Sequence, residues 1–146
     1  MSIVGAAMAF VSGVLMAVQG SINAGLGKDV GVLRATLVVH LVGSVVALVL
    51  VLLPFLRAPM SQKWTEVPWV YYLGGVLGVA IVYLVAISIP PLGVAVATTM
   101  IIVGQVGTAL LIDHLGALGL NRLAFTWQKG MGLILLAAGA GLLLKK

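Results

Sequence analysis

An all-α integral membrane protein with five transmembrane helices is the fold the sequence predicts, and three observations carry it. Apolar residues make up 62% of the 146 positions and charged residues 8%, against about 45–50% and 25% in soluble globular domains. Long stretches carry no Asp, Glu, Lys or Arg. Those stretches are continuously apolar rather than alternating, which selects helices over a barrel because a bilayer demands that backbone groups pair inside the spanning segment.

A span needs about 20 mostly apolar residues at about 1.5 Å of rise each. The first uncharged run predicts helix 1 at about 2–27, and the turn "KDVGVLR" separates it from helix 2 at about 32–55. No Lys or Arg precedes the first run, so a mature first helix is expected rather than a cleaved leader. The connection "PFLRAPMSQKWTEVP" then gathers prolines and charges, with Trp64 and Trp69 where an interfacial aromatic belt sits.

From Val67 to Ile112 the chain is uncharged again, about twice the length a single span uses. It must fold back. "SIPPLG" supplies the break, because proline lacks a backbone donor and restricts the residue before it. Helix 3 is therefore expected at about 68–88 and helix 4 at about 92–113. After the polar turn "DHLGALGLNR" comes helix 5 at about 127–145, the weakest span, anchored by Trp127 and Lys129 at one end and by Lys145 and Lys146 at the other. No internal repeat stands out, so residues 1–146 read as one membrane domain.

The charge pattern excludes some functions and raises a question of orientation. The net charge is +5, but the basic residues are scattered singly and form no face for nucleic acid. With no cysteine there is no thiolate site or disulfide framework. The acidic residues Asp29, Glu66 and Asp113 all lie near loops, so neither a buried carboxylate base nor a metal cluster is expected; the chain does not read as an enzyme, and no cofactor is implied. Five spans place Arg57, Lys63, Arg122 and Lys129 on one side and Lys28, Arg34, Lys145 and Lys146 on the other. A Lys and Arg excess normally marks the cytoplasmic side, and here the two sides tie. Either the chain inserts both ways, allowing two copies to pair in opposite orientations as inverted repeats do, or a few decisive charges or the weak fifth span fix one orientation.

Polar residues inside the spans are the candidate site. Gln19 and Asn23 are four apart, with Ser21 between, and share a helix face. His40 on helix 2 and Thr98 and Thr99 on helix 4 fall at similar depths, and Gln105 lies deeper. His40 is the imidazole within a span, a group able to carry a proton near neutral pH. Such residues either glue helices together at about 0.6–2 kcal/mol each or line a solute path. Gly132, Gly139 and Gly141 on the otherwise apolar helix 5 suit close packing or dimerisation, and Gly74 and Gly78 repeat the small-residue spacing.

"QGSINAGLGK" and "PPLGVAVATTMIIVGQVGTALLIDHLG", with the five-span layout, resemble the short YdcZ-like branch of the drug/metabolite transporter superfamily over essentially the whole chain. The resemblance implies a bacterial inner-membrane exporter of small solutes, a half unit that pairs with an inverted second copy of itself to give an antiparallel homodimer of ten helices. The related small multidrug resistance exporters carry a glutamate in their first helix, and this chain has none there. Transport by alternating access is the expectation, with a non-transporting assembly subunit and a passive channel as the rivals.

Overall fold

The computed structural model describes residues 2–54 and 64–144. Arg57, Lys63, Lys145 and Lys146 lie outside that range, and with them half of the charges in the orientation count. Among the described residues five helices are long and apolar enough to cross a membrane: α1 (Ile3–Val30), α2 (Val32–Leu52), α3 (Leu73–Leu92, preceded by a 3-10 segment from Trp69), α4 (Val94–Leu115) and α5 (Trp127–Leu144). Their apolar side chains point outward all round, with at most 11% of any span buried. A helix apolar on every face is at home in lipid.

The chain divides into two compact units, residues 1–91 and 92–146. In the first, α1 packs along α2, and small residues set how closely the backbones approach. Gly20, Asn23, Ala24 and Gly27 form the buried face of α1, the three-and-four spacing of one helical stripe. A Cβ built on Gly20 would lie 2.9 Å from Cγ1 of Val85 and 3.1 Å from Cδ1 of Ile89, both on α3. One built on Gly27 would stand 3.1 Å from Cγ2 of Val32, just across the turn.

That turn is a single residue. Gly31 has φ 87° and ψ 138°, a region that only glycine enters freely. Its N–H closes α1 on the Gly27 carbonyl at 3.0 Å, and its carbonyl opens α2 by accepting from Ala35 N at 2.9 Å. The expected polar turn thus shrinks to one glycine, with Lys28 and Asp29 inside α1 and Arg34 inside α2.

Helix 3 corrects its expected end. It continues past Ser88 and through Pro90 and Pro91 to Leu92, and the break falls at Gly93, φ 81° and ψ 157°. Proline in a last turn costs only the bonds to carbonyls one turn back, and the Ser88 hydroxyl donates to the Val85 carbonyl nearby at 2.9 Å. Glycine, not proline, makes the turn.

In the second unit α4 packs along α5, and the connection between them is pinned rather than loose. Gly116 caps α4 in the left-handed conformation, Leu123 N donates to the Asp113 carbonyl at 2.8 Å, and Arg122 Nε donates to the His114 carbonyl at 2.9 Å. Lys129 Nζ donates to the Ala124 carbonyl at 3.1 Å. The expected polar turn also exposes Leu115, Leu118, Leu120 and Leu123, so its surface is amphiphilic.

Nothing lies within 4 Å of a Cβ built on either Gly31 or Gly93, so alanine there tests the backbone torsion without a clash. Gly31→Ala and Gly93→Ala should each destabilise the fold by about 1–3 kcal/mol, measured as a shift of the unfolding midpoint in detergent; an unchanged midpoint means that the turn re-forms with ordinary torsions.

Candidate functional site

Four of the short hydroxyl residues inside the spans spend their donors on their own helices. Ser12 donates to the Ala9 carbonyl, Ser21 to Ala17, Thr36 to Val32 and Thr99 to Ala95, all at 2.8–2.9 Å. A Ser or Thr side chain is short enough to fold back onto the carbonyl three or four residues behind. Those hydroxyls are satisfied where they stand. Ser21 and Thr99, two of the expected site residues, belong to this class.

The amides behave differently. Among the described residues neither Gln19 nor Asn23 has a side-chain hydrogen-bond partner. Their environments also differ, although one helical turn separates them. Gln19 is exposed, whereas Asn23, at 4% exposure, sits in the packed stripe with Gly20, Ala24 and Gly27. Interhelical glue requires a bond, and within this unit Asn23 makes none. Both amides line a groove of about 430 Å³ whose other walls are Ser12, Leu15, Met16, Val18 and Ile22, all on α1.

His40 is half-buried on α2 and is fixed by its own helix. Nδ1 lies 2.8 Å from the Thr36 carbonyl oxygen, and a carbonyl only accepts, so Nδ1 carries the proton. In the neutral ring Nε2 is then left as an acceptor. It faces the place where Gly78 of α3 has no side chain: a Cβ there would lie 3.7 Å from Nε2. His40 also lines a second groove of about 390 Å³ with Leu33, Arg34, Thr36, Leu37 and Val79, so imidazole and amides border different hollows of the same unit.

Thr98 and Gln105 belong to the second unit, where Thr98 is half-buried and Gln105 exposed. Neither has a hydrogen-bond partner among the described residues. Thr36, which sequence reasoning did not select, is buried at 2% exposure beside His40; its carbonyl fixes the ring, and the i, i+4 spacing was the available signal. Gly132, Gly139 and Gly141 have no atom within 4 Å of a built Cβ, so their backbones stand open along α5. No three His, Asp or Glu side chains among the described residues cluster as a metal site.

Residues 4–142 match the family model described as "Putative inner membrane exporter, YdcZ". No curated protein and no solved structure matches the chain.

The division between satisfied hydroxyls and free amides has a measurable consequence. Ser21→Ala removes a hydroxyl that bonds only its own helix, so stability should change by less than about 1 kcal/mol and transport in vesicles should be unaltered. A loss of transport in that variant would place Ser21 on the solute path after all.

Proposed function

We propose that this chain, which belongs to the YdcZ family of inner membrane exporters, moves a small solute by alternating access as an antiparallel pair of five-helix units. The observation that carries the reading is the pair of uncommitted amides, Gln19 and Asn23, inside a membrane span. Facing hydrocarbon, unmet hydrogen-bonding groups cost several kcal/mol each. A solute-accessible cavity removes that cost, because water fills it between turnovers and solute replaces the water. Within the same unit, His40 offers Nε2 as a further acceptor.

Pairing with an inverted copy is supported by the even split of Lys and Arg between the two sides. The open backbones at Gly132, Gly139 and Gly141 make α5 the contact helix of the pair, since small residues let two backbones approach closely. α5 contributes no polar side chain after Lys129, which suits packing rather than solute contact.

Gln19→Leu should reduce transport at least tenfold in vesicles while expression and dimer formation stay near wild type, because the side chain is exposed within the chain. Normal transport by that variant would remove the helix 1 amides from the path. Topology has its own test. A reporter fused after Lys146 should be active on both faces of the membrane, and one active face alone would exclude an inverted pair built from this chain. Gly139→Leu should shift the purified protein toward monomer in detergent, whereas an unchanged dimer would move the interface to another helix.

A further inference from the structure

The connection between α4 and α5 turns its polar groups onto itself and its leucines outward. The peptide joining Ala124 to Phe125 is gripped at both its polar atoms: its N–H donates to Nδ1 of His114 at 3.4 Å, and its carbonyl accepts from Nζ of Lys129 at 3.1 Å. Arg122 Nε donates to the carbonyl of the same His114 at 2.9 Å. His114 and that peptide thus tie Arg122 and Lys129 into one cluster. Leu115, Leu118, Leu120, Leu123 and Phe125 are left exposed, Leu118 with a φ of 58° that a leucine adopts only at a cost. Water gives such an arrangement no reward. At the boundary of a bilayer the leucines enter the acyl region while the cations stay level with the headgroups.

Charge and shape give that boundary a place for one kind of lipid. Residues 113–129 set two cations, Arg122 and Lys129, against one acid, Asp113. Both cations bond to carbonyl oxygens rather than to a carboxylate, and a carbonyl holds a cation in position without cancelling its charge. With Nε engaged, Arg122 keeps its terminal nitrogens for a phosphate, and Lys129 keeps two of its three donors. Because both heads are held in advance, an arriving anion has less side-chain freedom to remove. The second feature is an apolar groove of about 310 Å³ whose upper lining is His114 and Phe125, the residues that anchor the cations. It continues along Gly107, Leu110 and Leu111 of α4 and Leu133 of α5. From His114 to Gly107 is two helical turns, about 10 Å.

We propose that the hairpin of α4 and α5 binds one anionic phospholipid of the bilayer, its phosphate on Arg122 and Lys129 and an acyl chain along the groove. Basic pockets between membrane helices hold acidic headgroups by this combination of charge and packing. A zwitterionic lipid brings a cation of its own to the same mouth, and a soluble phosphate leaves the groove empty. The site lies wholly within residues 92–146 and stands apart from the helix 1 amides, so it does not depend on the transport reading.

Native mass spectrometry of the full chain in detergent reads bound lipid and oligomeric state together. Offered equal amounts of dioleoylphosphatidylglycerol and dioleoylphosphatidylcholine, the protein should retain the glycerol lipid over the choline lipid by about tenfold. Glycerophosphoglycerol, the same headgroup without acyl chains, should not displace it at equal concentration. Arg122→Gln with Lys129→Gln should bring the two lipids to near-equal retention, whereas Lys28→Gln with Lys63→Gln, which removes the same charge elsewhere, should preserve the preference. Asn121→Asp adds an acid beside Arg122 in the chain and leaves both cations in place; it should lower the preference at least threefold, and it serves if the double variant loses helix content. Equal retention by the wild type, equal loss in the two double variants, or an unchanged preference in Asn121→Asp overturns the assignment. Displacement by glycerophosphoglycerol makes the ligand a soluble phosphate, and loss of dimer without loss of lipid in the Arg122 and Lys129 variant makes this face a contact between copies; either result overturns the lipid site.

Discussion

A hydrocarbon solvent offers no hydrogen bonds, and nearly every feature of this chain follows from that poverty. Backbone groups must close on themselves, so the spans are helices. Where a helix ends and the next begins within one residue, the turn must keep its own polar groups occupied, and Gly31 does so by bonding backward through its N–H and forward through its carbonyl. The hydroxyls of Ser21, Thr36 and Thr99 fold back onto their own helices for the same reason. Against these closures, the amides of Gln19 and Asn23 stand out as side chains with no hydrogen bond within their own helix.

Small residues play the complementary part. In lipid the helices gain no hydrophobic advantage by meeting one another, so close backbone contact has to supply the attraction. Glycine and alanine form most of the buried set, which contains no large side chain that is fully enclosed. Gly20 lets Val85 and Ile89 seat against α1. Asn23 is then the anomaly of that stripe, an amide among glycines and alanines with no side-chain hydrogen bond to another described residue.

The spans were legible in the sequence because length and absence of charge are local properties of a run. The turns were less so. Pro90 and Pro91 advertise a break, yet proline is tolerated in a final helical turn, and the sign of φ at Gly93 depends on how the next helix must leave. At the site, Ser21 and Asn23 looked equivalent as polar residues on one helix. The back-bonding habit of serine separates them once applied residue by residue. The contrast between an exposed Gln19 and a buried Asn23 needed the positions of the neighbouring helices, which no periodicity within α1 encodes.

The lengths of the helices bear on the membrane in return. α1 has 28 residues and α5 has 18, about 42 Å and 27 Å at helical rise, on either side of a hydrocarbon core about 30 Å thick. A long helix tilts or draws the bilayer thicker, and a short one thins it, at a fraction of a kcal/mol for each ångström of mismatch. This chain makes both demands at once. The acyl-chain length of the surrounding phospholipids thereby acts as a mechanical load on it, relieving one helix only by straining the other.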